Sequence, residues 1–133
     1  MEVHLKIIGI LFMILALGHV FMPKYFNWKT DFSNLSLFNR QMIKVHTFFI
    51  ALTVFGIGLL SFVEATSIIQ TALGQKIALA FGVFWLFRLV AQLFVYSTKL
   101  WIGKRFETTM HILFTALWIY TSFIYLTIGL TNF

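Results

Sequence analysis

Four long apolar runs, each about the length of a membrane-crossing helix, are separated by short stretches that hold nearly every charge in the chain. The runs fall at about 3–22, 45–63, 77–98 and 109–130. A helix needs roughly 20 apolar residues to cross the hydrocarbon core of a bilayer. The pattern therefore predicts an all-α integral membrane protein, a four-helix up-down-up-down bundle with one transmembrane domain over residues 1–133. The first run is expected to end at Pro23. A signal peptide is its competing reading, from Lys6, the apolar stretch and the small residues Ala16 and Gly18, but the run is long enough to span.

The connection from Pro23 to Lys44 is too long for a turn and too aromatic for a linker. Tyr25, Phe26, Trp28, Phe32, Leu35, Leu37 and Phe38 are interleaved with polar residues. The segment is expected to lie at the membrane interface, with Asp31 or Ser33 capping a short helix. In the alternative, the second span starts near Ser36 and projects from the membrane by a couple of turns.

Composition strengthens the membrane reading. Hydrophobic residues make up 60% of the 133 positions and charged residues 11%, with a mean hydropathy of +0.92. A soluble domain carries about 25% charged residues. Cysteine is absent, which excludes disulfides, thiolate metal sites and thiol catalysis.

The net charge of +6 reflects basic residues flanking the spans and implies no nucleic-acid partner. Lys24, Lys29, Arg40 and Lys44 lie between the first two spans, and Lys99, Lys104 and Arg105 between the last two. Lys6 and Lys76 alone lie on the other side. This asymmetry predicts cytoplasmic basic loops and both termini outside.

Candidate chemistry starts at Arg88, near the midpoint of an otherwise uncharged run from Ile77 to Thr98. A cation at such depth is expensive and normally faces a bundle interior or a wet cavity. Arg88, Gln92, Tyr96 and Lys99 are spaced to share one helical face, and Thr108, His111, Thr115 and Ser122 form a second stripe. His46 and Thr53 share a face with Gly56, a residue expected to permit close helix approach. Antiparallel spans would bring His19, His46 and His111 to the cytoplasmic end. The expected site is a cytoplasm-facing polar pocket of His19, His46, Arg88, Gln92 and His111. Asp31, Arg40, Gln41 and Glu107 are near enough in sequence to close over it.

Each histidine alone has a simpler role, donating to a backbone carbonyl or sitting among headgroups. Phenylalanines and Trp85 read first as core or lipid contacts, and Gln92 as a bridge between helices. Convergence favours function. The leading expectation is haem b, held by His46 and His111 across the bundle, with His19 an alternative ligand and Arg88 neutralising a propionate. The same imidazoles suit iron, copper or zinc, with Asp31 or Glu107 completing the shell. A second reading is a homo-oligomeric carrier for an anionic or quinone-like solute. A third is a lipid-embedded accessory subunit of a larger membrane complex.

The segments LFNRQMIKVHTFFI, FGIGLLSF and FWLFRLVAQLFVY, with a histidine in the fourth run, resemble small bacterial inner-membrane proteins with four predicted spans. That resemblance implies the bacterial inner membrane and no particular activity. In architecture only, the chain is also similar to the four-helix membrane protoporphyrinogen oxidases that bind haem b.

Overall fold

In the computed structural model, which describes residues 1–25, 27–95 and 102–131, all regular structure among the described residues is helical. The elements are α1 (Glu2–Tyr25), α2 (Trp28–Asp31), α3 (Leu37–Val63), α4 (Ala65–Gln70), α5 (Ala72–Val90), running directly into a π-helical turn at Ala91–Val95, and α6 (Arg105–Leu130). Four helices are long and apolar enough to cross a membrane: α1, α3, α5 with its π turn, and α6.

Helix boundaries overrun the hydropathy runs because local capping, not greasiness, decides where a helix starts. α3 begins at Leu37, where the Ser36 hydroxyl accepts from the Asn39 amide at 3.2 Å. The helix thus begins where the alternative reading expected, next to Ser36. Its first eight residues add about 12 Å ahead of Val45 at 1.5 Å per residue. Neither Asp31 nor Ser33 caps the short α2. That helix starts from Asn27, whose left-handed backbone (φ 54°) asparagine tolerates, while Asp31 is its last residue. The Ser33 hydroxyl donates instead to the Thr30 carbonyl, at 2.7 Å.

α5 likewise starts early, at Ala72, where the Thr71 hydroxyl accepts from the Gly74 amide. α1 continues past Pro23 to Tyr25. The proline nitrogen has no hydrogen to donate, so one bond is lost and the helix ends two residues later.

The chain divides into two compact units, one containing most of α1 with α3, the other containing α5 and α6. In the first, α1 and α3 cross at Gly9 and Gly58. A Cβ on Gly9 would meet the Gly58 carbonyl oxygen at 2.5 Å; one on Gly58 would meet the Gly9 oxygen at 2.7 Å. Glycine is required here because backbone faces backbone. Gly56, expected to serve this role, has open space around it and shares an exposed face with His46 and Thr53. The helical phase, two residues out, decides between the two glycines.

In the second unit α5 and α6 are antiparallel. Gly82 packs on Leu126, Gly129 on Leu79, and Phe81 meets Tyr125 edge-on at 5.5 Å.

Candidate functional site

At the centre of the α5–α6 hairpin, two indoles stack face to face. Trp85 and Trp118 are 5.0 Å apart with planes 4° from parallel, and both are buried. Phe114 extends the stack, 6.0 Å from Trp118. The Arg88 guanidinium lies over the Trp118 ring, 5.1 Å from its centroid. Trp118 lies midway along α6, thirteen residues after Arg105 and twelve before Leu130. A cation–π contact is worth about 0.5–2 kcal/mol depending on its exposure, which offsets part of the cost of removing half-buried Arg88 from water.

One turn further along α5, Arg88 Nη1 approaches Gln92 Oε1 at 3.4 Å, and Gln92 Nε2 lies 2.9 Å from His111 Nδ1. The three side chains form a polar row across the hairpin. Its hydrogens can be assigned from chemistry. A guanidinium only donates, so the amide oxygen of Gln92 faces Arg88. The amide nitrogen then donates to His111, whose Nδ1 must accept. A neutral His111 therefore carries its hydrogen on Nε2.

Gln92 is buried, 7% exposed, and lies in the π-helical turn. Such turns insert an extra residue into an α-helix and frequently occur at functional sites. Here the turn holds the residue that joins the two helices.

α6 continues the row with polar groups that have no hydrogen-bond partner among the described residues. They are Thr115 Oγ1, Trp118 Nε1, Thr121 Oγ1 and Ser122 Oγ, all enclosed. His111, Thr115, Trp118 and Ser122 are spaced four, three and four residues apart, so they follow one stripe. A groove of about 310 Å³ runs along the flank of this stripe, lined by His111, Ile112, Thr115, Ala116 and Ile119.

Of the residues expected in the pocket, the structure brings Arg88, Gln92 and His111 together. His19 and His46 belong to the other unit, and each bonds within its own helix. His19 Nδ1 lies 2.9 Å from the Leu15 carbonyl oxygen, and His46 Nδ1 lies 2.7 Å from that of Met42. A carbonyl only accepts, so Nδ1 donates, and the lone pair of each neutral ring is on Nε2. Glu107, Asp31 and Gln41 are exposed. Arg40 is half-buried, and its Nε has no hydrogen-bond partner among the described residues. Among the described residues no group of three or more His, Asp or Glu side chains is placed to hold a metal ion. Tyr96 and Lys99, the continuation of the α5 ladder, lie outside the described residues.

Sequence reasoning missed Trp118. Its spacing, seven residues after His111 and three after Thr115, was the available signal. Compared with models of known families, with curated proteins and with solved structures, the chain matches none.

Proposed function

We propose that the chain is a multi-pass protein of the bacterial inner membrane that binds a small lipid-phase ligand at the α5–α6 hairpin. The seven-to-two charge asymmetry supports cytoplasmic basic loops and both termini outside. The observation that carries the ligand reading is the row Arg88–Gln92–His111, continued on α6 by enclosed hydroxyls that have no hydrogen-bond partner among the described residues. In hydrocarbon each unsatisfied polar group costs several kcal/mol. A structural pin for two helices needs one or two polar contacts; a row that ends beside a groove has a use for a bound molecule.

The test is the organic extract of detergent-purified protein, compared by mass spectrometry between wild type and Arg88→Leu. A compound retained by the wild type and lost from the variant supports the reading. Identical extracts, with equal thermal stability, overturn it. Orientation has a separate check: a reporter fused after Phe133 reads an external C-terminus, and a cytoplasmic signal reverses the topology.

A second reading is haem b, expected from the sequence on His46 and His111 with His19 as an alternative ligand. His19 and His46 are both held in the tautomer whose Nε2 lone pair can ligate iron, the second-shell arrangement common to metal-bound imidazoles. An absorption spectrum, air-oxidised and then dithionite-reduced, decides it. A Soret band that shifts on reduction supports haem; aromatic absorbance alone, in protein expressed with ample haem, removes it.

A further inference from the structure

The first turns of α3 carry cations that the surrounding sequence does not balance. From Pro23 to Lys44 the chain has Lys24, Lys29, Arg40 and Lys44 against the single acid Asp31, and α3 has no acidic residue along its length. Arg40 and Gly58 are eighteen residues apart, five helical turns, so Arg40 stands on the face of α3 that packs on α1. Packing holds its side chain half-buried, and its Nε is enclosed with no hydrogen-bond partner among the described residues. A partner therefore reaches this guanidinium from its Nη end. Lys44, one turn on, is exposed. The Ser36 hydroxyl occupies the Asn39 amide, so the donors on offer here are side chains, not the helix end.

Depth says what kind of anion suits them. Arg40 is five residues ahead of Val45, where the apolar run begins, or about 7.5 Å at 1.5 Å per residue. Headgroup layers add roughly 5–7.5 Å to each side of the hydrocarbon core. Arg40 thus stands at the level of lipid phosphates, and Lys44 at the hydrocarbon boundary. The same ridge, in steps of four residues, continues with Phe48 and Leu52, 62% and 53% exposed. Two cations at headgroup level, followed by two bare apolar side chains, match a molecule with a phosphate at one end and an acyl chain below it. An acidic protein tail would match the cations and leave Phe48 and Leu52 without a counterpart. Upstream, Trp28 packs against Phe32 with ring centroids 5.0 Å apart, an aromatic pair of the kind that anchors at the membrane interface.

We infer that Arg40 and Lys44 bind the phosphate of an anionic phospholipid in the leaflet that the basic loops face, with an acyl chain along Phe48 and Leu52. The inference is independent of the ligand proposed for the α5–α6 hairpin.

The experiment is native mass spectrometry of the full-length protein in detergent micelles. It is titrated with palmitoyl-oleoyl phosphatidylglycerol or with the zwitterionic phosphatidylcholine of the same chains. Wild type is expected to take up phosphatidylglycerol saturably and in preference to phosphatidylcholine. Lys44→Gln weakens phosphatidylglycerol binding about 5-fold, the worth of one basic residue near an anionic surface, and Arg40→Gln with Lys44→Gln weakens it about 25-fold. Arg40→Lys keeps the charge and most of the binding. Lys76→Gln removes the same charge away from the ridge and leaves binding unchanged. Circular dichroism and gel filtration confirm that the variants fold, and exposed Lys44 keeps the test decisive should Arg40→Gln fail to do so.

Equal uptake of the two lipids by wild type overturns the inference. So does an equal loss from Lys44→Gln and Lys76→Gln, which would mean attraction by net charge alone. Glycerol 3-phosphate, which has the phosphate without acyl chains, should fail to displace the lipid at equal concentration. Displacement would mean that the cations take a free anion and that Phe48 and Leu52 contribute nothing, and it too overturns the inference.

Discussion

The two hairpins solve the same packing problem and then diverge. Each closes on glycines: Gly9 and Gly58 between α1 and α3, Gly82 and Gly129 between α5 and α6. In a bilayer this is the expected device, since lipid gives helices no hydrophobic reason to associate and close van der Waals contact must do so. The difference lies in where polar side chains turn. In α1 and α3, His19 and His46 bond backward to carbonyls of their own helices. In the second hairpin Gln92 reaches across to His111, and the contact is made through a π-helical turn. Self-satisfied polar groups leave a hairpin chemically inert within the bilayer. Cross-bonded ones tie helix spacing to chemistry, and that is where a ligand can act.

The largest expected effect tests the shared part. Gly58→Val and Gly129→Val each drive a side chain into backbone of the facing helix, and each is expected to cost about 3 kcal/mol, at the upper end of overpacking. Gly82→Ala adds a single carbon, which meets Leu126 Cγ at 2.7 Å and the Leu126 backbone nitrogen at 2.9 Å, so a smaller cost of about 1–2 kcal/mol is expected. Chemical unfolding in mixed micelles measures all three. If the valine variants are no worse than Gly82→Ala, the hairpins are not held by their glycine crossings.

Next is Arg88→Leu, where stability and function should part. Losing the contact with Trp118 costs up to about 2 kcal/mol. Removing a mid-helix cation returns about 2.5–3.5 kcal/mol on insertion scales. The melting temperature should hold or rise while ligand retention disappears. A fall matching that of Gly58→Val would mark Arg88 as a structural pin and erase the contrast between the hairpins.

Smaller in energy but sharp in readout is Gln92→Glu. A carboxylate accepts at both oxygens, so it keeps Arg88 and demands a hydrogen from His111 Nδ1. The neutral ring should switch from the Nε2–H to the Nδ1–H tautomer, visible in the imidazole ¹⁵N shifts. An unchanged tautomer would show that the assigned polarity of the row is wrong.

The sequence made legible what depends on period and hydropathy: four helices, the α5 face holding Arg88 and Gln92, and the α6 stripe of His111, Thr115 and Ser122. Legibility ended where the signal is a matter of phase or local winding. Gly56 and Gly58 differ by two residues in a run that is apolar throughout, so nothing in the pattern says which faces α1. The π turn at Ala91–Val95 leaves no mark in AQLFV, since one extra residue in a turn changes neither composition nor length appreciably. Nothing in the pattern of the fourth run sets Trp118 apart from the other bulky residues. Its role follows only from Arg88 lying over its face.

The smallest expected effect falls on the inert hairpin. His19→Ala and His46→Ala each remove a ring that donates to a carbonyl four residues earlier. Those carbonyls belong to helical residues and retain a backbone donor, so deletion leaves no buried acceptor orphaned. The full desolvation penalty therefore does not apply. A loss of about 0.5 kcal/mol or less is expected for each, less for exposed His46 than for half-buried His19. Should either variant cost several kcal/mol, or bleach a Soret band present in the wild type, the lone pair at Nε2 has a partner and the first hairpin is not inert. Haem would then take precedence over the α6 groove as the protein's chemistry, because an iron ligand is lost all at once whereas a helix-internal hydrogen bond is lost almost unnoticed.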